Sequence, residues 1–153
     1  MTFDKKLEEL FIDLPEPPPD MGNSIGALQT GKLLYISGAL PWSEGRLQHQ
    51  GRVGVEVRPD NAKLAARLAA VFVLALARRE LGGSLARIRR VIGLTGFVAC
   101  GVDFRDHAKI IDGAGELFTQ IFGSNGKHVR TVAGATSLPQ NACVEISVVF
   151  ELK

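Results

Sequence analysis

Three side chains near the C-terminus have types and spacing suited to chemistry: His128, Arg130 and Glu145. A guanidinium presents a planar fork that donates two parallel hydrogen bonds to a carboxylate. A glutamate beside it can hold a water or exchange a proton. A histidine titrates near neutral pH and can serve as acid, base or ligand donor. All three lie in HVRTVAGATSLPQNACVEISVVFELK, residues 128–153, where two alternating runs flank Leu138-Pro139. Residues of equal parity share a face of a strand, so His128, Arg130, Val132 and Gly134 go together. In the second run Val144, Ile146, Val148 and Phe150 form an apolar face for a core, while Cys143, Glu145 and Ser147 point the other way. The two runs read as a hairpin, about 128–137 and 143–151. With Arg130 on the non-helix face, Arg130 and Glu145 would meet over one small anionic ligand. The same spacing also fits an Arg130–Glu145 salt bridge or a subunit contact, and His128 equally fits a surface hydrogen-bonder.

The elements that must position these groups can be read upstream. Asp4 to Phe11 forms a short amphipathic helix, and Pro15, Pro17, Pro18 and Pro19 force an extended connector through residue 20. ALQT and KLLYISGAL form two strands around Thr30-Gly31. The apolar run LLYIS reads as covered on both faces. Glu44-Gly45-Arg46 is a turn, and Val53, Val55 and Val57 mark a third strand. Pro59 opens a helix to about Leu81, with Leu64, Leu68, Val71, Ala75 and Leu76 at helical spacing. Ile88–Ala99 is a strand, and Asp106–Phe122 a second helix weakened by Gly113 and Gly115, at about 1 kcal/mol each. Ser37-Gly38 admits either a ligand near the backbone or a bulge. The small-residue run at 112–115 fits a cleft wall or close packing.

The order β-β-β-α-β-α-β-β over 153 residues indicates a single α+β domain, a two-layer sandwich with a mixed sheet under two long helices on one face. Its other face, carrying residues such as Val132 and Cys143, would be too apolar for water, which predicts trimerisation through the sheet. The formal charge of +2 argues for no nucleic-acid partner. The basic stretch at Arg78, Arg79, Arg87, Arg89 and Arg90 lacks interleaved aromatics and reads as a solvated helix end and turn. Cys100 and Cys143 have no close-spaced partners, which gives neither a zinc pattern nor a disulfide framework and fits free thiols in a reducing cytosol. No Cys/His cluster suited to a metal is present. The N-terminus lacks an apolar signal core, so the expected location is cytoplasmic. The run Leu68–Ala77 is far shorter than the roughly twenty residues that cross a bilayer.

Taken with TGKLLYISGALP at 30–41 and DGAGELFTQIFG at 112–123, the segment NGKHVRTVAGATSLPQNACVEISVVFE at 125–151 resembles the RidA (YjgF) family, also known as the endoribonuclease L-PSP group. The resemblance covers nearly the whole chain, and the spacing Arg130…Leu138-Pro139…Glu145 is gapless. It is closest to longer members with an LPEPPPD-like N-terminus and a G-x-H-x-R segment, here Gly126 to Arg130. It implies the chorismate-mutase-like sandwich and homotrimers with ligand clefts between subunits. It further implies hydrolysis of reactive 2-imino or enamine acids to 2-keto acids and ammonia, with no metal or cofactor required. In that pattern Arg130 anchors the substrate carboxylate and Glu145 activates water. The same alignment places Ser24, Val132 and Ile111 where the family cleft has a tyrosine, a cysteine and an asparagine. It therefore implies an altered pocket around a retained anchor. RNA cleavage, with His128 and Glu145 as the candidate pair, and a non-catalytic trimer that binds small carboxylates are the alternatives.

Overall fold

The computed structural model describes all 153 residues. Helix α1 (Phe3–Glu9) is capped by the Thr2 hydroxyl, which accepts from the Lys5 amide at 3.1 Å. The extended proline segment is held by Arg79, which donates to the Pro18 carbonyl at 2.8 Å. Strands β1 (Ala27–Thr30) and β2 (Leu33–Ala39) pair as a hairpin whose turn contains Gly31 at φ +57°. A miniature hairpin, β3 (Trp42–Ser43) and β4 (Arg46–Leu47), turns at Glu44-Gly45. Then come α2 (Pro59–Glu80), β5 (Ile88–Ala99), α3 (His107–Phe122), β6 (Val129–Ala135) and β7 (Val144–Leu152). The main sheet has the order β1-β2-β7-β5-β6. Only β5 and β6 are parallel; the other pairs are antiparallel. Both long helices pack on one face of this mixed sheet, as the sequence predicts. No helix is long and apolar enough to cross a membrane.

Five expectations change. The terminal hairpin does not form: β7 inserts between β2 and β5, and β6 pairs only with β5, at the sheet edge. The physical reason lies in β7 itself, where Val144, Ile146, Val148 and Phe150 are all within 1% of complete burial. A strand that apolar gains most at the centre, under both helices, whereas half-exposed β6 tolerates an edge. The third strand is instead a turn: the Glu56 carboxylate accepts from the Arg52 amide at 3.0 Å, which holds its pKa below the ordinary carboxylate range. Val53 and Val57 are buried and Val55 is exposed, so the three valines do not share one face as a strand requires, and only isolated bridges join Val53 to Val57 and to Cys100. In α2 Ala75 and Leu76 are buried as expected, but the first half of the buried stripe is alanine (Ala62, Ala65, Ala66, Ala69, Ala70), and Leu64 is exposed. Small side chains bring this helix close to its neighbours. Finally, Val132 lies on the helix side and Cys143 is fully buried. The apolar groups on the uncovered face are Leu28, Tyr35, Phe97 and Val129. Tyr35 leaves β2 covered on one face only within a single chain.

Candidate functional site

In-register neighbours share a sheet face, so β5 shows where each C-terminal side chain points. Arg130 is registered with Leu94, which is 2% exposed beneath the helices. Arg130 therefore emerges on the helix side, where its Nη1 donates to Asp112 Oδ1 of α3 at 2.8 Å. Around this pair a polar cleft of about 470 Å³ opens between α3 and β6. Gly115, Glu116, Thr119, Lys127 and His128 complete its walls. His128 Nδ1 is 2.7 Å from the Gly126 carbonyl oxygen, which can only accept, so Nδ1 carries the proton. Neutral His128 then offers Nε2 as an acceptor. Gly115 makes space here: a Cβ at that position would lie 3.4 Å from His128 Cε1 and 3.7 Å from Arg130 Nη1.

Glu145 is registered with Phe97 and stands on the uncovered face. Beneath it, the β2–β7 pairing is irregular between Ile36 and Ala39. Gly38 lies in that irregularity, and a Cβ there would fall 2.8 Å from Glu145 Oε1. Gly38 thus seats the glutamate. The carboxyl group makes no hydrogen bond or ion pair within the chain, and partial burial raises its pKa above the ordinary 4.5. A carboxyl that keeps its proton to higher pH is suited to acid–base work. Two residues earlier, burial pushes the Cys143 thiol up to about 11, so it is a neutral thiol at physiological pH.

One chain therefore brings Arg130 and His128 together, and separately Glu145 and Gly38, but it does not unite the two groups. Arg130 and Glu145 lie on opposite faces, and the expected shared face is overturned. His128 and Glu145 are likewise separated. Ser24 is exposed in the loop before β1. Ile111 is fully buried and stacks on β5 where Gly96 leaves room, with Cδ1 only 2.8 Å from where a Gly96 Cβ would be. Val132, registered with Gly96, lies half-buried on that same side. The helix residue that reaches Arg130 is Asp112, adjacent to Ile111. It was legible as one member of a polar helical face: Asp112, Gly115, Glu116 and Thr119 recur at the i, i+3, i+4, i+7 spacing.

Residues 5–152 match the family model described as "YjgF/chorismate mutase-like, putative endoribonuclease". Over 147 residues the chain is 31% identical to Protein TCP17 of Trypanosoma cruzi, covering 95% of this chain and 91% of that protein. The crystal structure of Atu1372, a protein of unknown function from Agrobacterium tumefaciens, superposes with a TM-score of 0.91 at 39% identity, covering 99% of this chain and 94% of that one. A Shewanella oneidensis structure bearing the same endoribonuclease designation gives a TM-score of 0.93 at 29% identity, covering 99% and 100%. Sequence and backbone agree along almost the full length, and the chain belongs to the YjgF/chorismate mutase-like family.

Proposed function

We propose that this protein is a RidA-like hydrolase that converts 2-imino or enamine acids to 2-keto acids and ammonia, in clefts between the subunits of a homotrimer. The observation that carries this reading is the separation of Arg130 and Glu145 on opposite faces of one sheet, each with unused capacity. Arg130 commits only Nη1 to Asp112 and keeps further donors for a substrate carboxylate. Glu145 has a raised pKa and no partner, on a face that exposes Leu28, Tyr35, Phe97 and Val129. Contiguous exposed apolar groups favour covering by another surface. A site that uses both residues takes them from two copies.

In the reaction, the substrate carboxylate is held by the Arg130 fork. Glu145 accepts a proton from water as the oxygen bonds to the imine carbon, and the nitrogen takes up a proton. The resulting carbinolamine collapses to a ketone with loss of ammonia, so the net change is imine plus water to ketone plus ammonia. The two unpaired cysteines fit a reducing cytoplasmic setting. RNA cleavage is less well supported: His128 and Glu145 do not meet within a chain, and Arg79 and Arg89 of the basic stretch pair with Asp20 and Glu151.

The test is a coupled assay in which an amino-acid oxidase generates the imine and lactate dehydrogenase reads the keto acid. Wild type is expected to accelerate keto-acid formation, and Arg130→Ala to abolish the effect. Failure of the wild-type trimer to accelerate any imino acid would leave carboxylate binding alone. RNA cleavage that persists in Arg130→Ala would establish the nuclease instead.

A further inference from the structure

β5 and β6 run parallel, so their carboxyl ends lie side by side, and the first turn of α3 starts at the same edge. Cys100 directly follows β5 and His107 is the first residue of α3. Cys100 Sγ and His107 Nε2 are 3.4 Å apart, within hydrogen-bonding distance for sulfur. The neighbouring strand accommodates the pair: a Cβ on Gly134 would lie 2.6 Å from His107 Nε2 and 3.0 Å from Cys100 Sγ. Phe104 packs edge-on to the imidazole at 5.2 Å and fixes its plane.

Cys100 is only 5% exposed, yet it lines a cavity of about 240 Å³ together with His107, Arg105 and Thr136. Arg105 Nη1 donates to the carbonyls of Val102 and Phe104, at 2.6 and 3.0 Å, which leaves its other donors free. No carboxylate lines this cavity; Asp103 lines an adjoining one, and Asp106 pairs with Lys109. The cavity thus combines a thiol, an adjacent imidazole and one cationic fork.

We propose that Cys100 and His107 form a second reactive site, separate from the Arg130 cleft, in which the thiol captures small carboxylate-bearing alkylating electrophiles. His107 Nε2 takes the thiol proton, and the sulfur attacks the electrophilic carbon. An S–C bond forms as the leaving group departs with the bonding electron pair, and the imidazolium returns its proton to solvent. Arg105 holds the electrophile's carboxylate.

Cys143 is the internal control, since it is fully buried with a thiol pushed up to about 11. Native protein is treated at pH 7 with iodoacetate or iodoacetamide, and each cysteine is followed by peptide mass spectrometry. Cys100 is expected to react at least about tenfold faster than Cys143, with iodoacetate favoured relative to its reaction with free cysteine. His107→Gln should slow Cys100 by about tenfold or more. Arg105→Gln should slow iodoacetate more than iodoacetamide and so remove the iodoacetate preference. The proposal fails if Cys100 is as inert as Cys143, or if its rate is indifferent to His107. Circular dichroism checks that the variants fold. Should His107→Gln unfold, the iodoacetate-to-iodoacetamide ratio in wild type and Arg105→Gln decides, and an unchanged ratio overturns the site.

Discussion

Arg130 carries five donors on one plane, and a lysine in its place would keep the charge but lose the fork. Arg130→Ala is therefore expected to cost roughly ten- to a hundredfold in carboxylate affinity, the range for a lost charge-assisted hydrogen bond. Arg130→Lys should recover only part of it. Isothermal titration with pyruvate checks both, and equal binding by all three proteins would remove Arg130 from the site. At Glu145 the argument concerns pH. Its folded-state pKa is raised from 4.5 by burial, so the native state holds that proton more tightly than the unfolded chain does. Below the unfolded value both states are protonated and nothing is lost; as pH rises through the folded value, native stability falls. Glu145→Gln removes that penalty. It should melt above wild type at pH 7, with the difference fading below about pH 4. Identical melting temperatures across the series would show that burial does not strain the carboxylate.

At the scale of the element, the glycines of α3 separate packing from function. Sequence alone treats Gly113 and Gly115 alike, as helix weakeners. In the structure a Cβ at Gly113 would run into the Lys63 carbonyl of α2, where backbone cannot yield cheaply. A Cβ at Gly115 meets only the His128 ring and the Arg130 guanidinium, at ordinary contact distance. Gly113→Ala should thus destabilise by about 1–3 kcal/mol, since overpacking outweighs the propensity gain of up to about 1 kcal/mol. Gly115→Ala should hold or raise stability by up to about 1 kcal/mol while weakening ligand binding in the cleft it narrows. Urea unfolding and titration of each variant test the pair, and opposite signs in stability are the diagnostic result. Both helices and the pairing of β1 with β2 were legible in the sequence, because periodicity and turn residues are local. The partner of β6 was not, because Leu138-Pro139 reads the same whether the chain turns back on itself or crosses to another strand.

At the scale of the molecule, the uncovered sheet face is the feature one chain does not resolve. Leu28, Tyr35, Phe97 and Val129 lie on it, between 36% and 77% exposed, and Thr95, Thr131 and Ser147 line a shallow groove among them. On the proposed trimer, sedimentation should give three times the 16.5 kDa chain mass. Tyr35→Lys with Val129→Asp should shift it toward monomer and abolish any activity that needs two copies. A monomeric wild type that still turns over imines would refute the shared cleft. By itself the sequence determined the α+β class, the two-helix layer, the apolar face of β7 and the family, since each follows from local pattern or from spacing along the chain. Only the tertiary structure decided that β7 is central, that Asp112 is the partner of Arg130, and that Arg130 and Glu145 face opposite ways. Strand parity fixes faces within a strand, but which face meets the helices is set by pairing between distant segments, and a one-residue change of register reverses it.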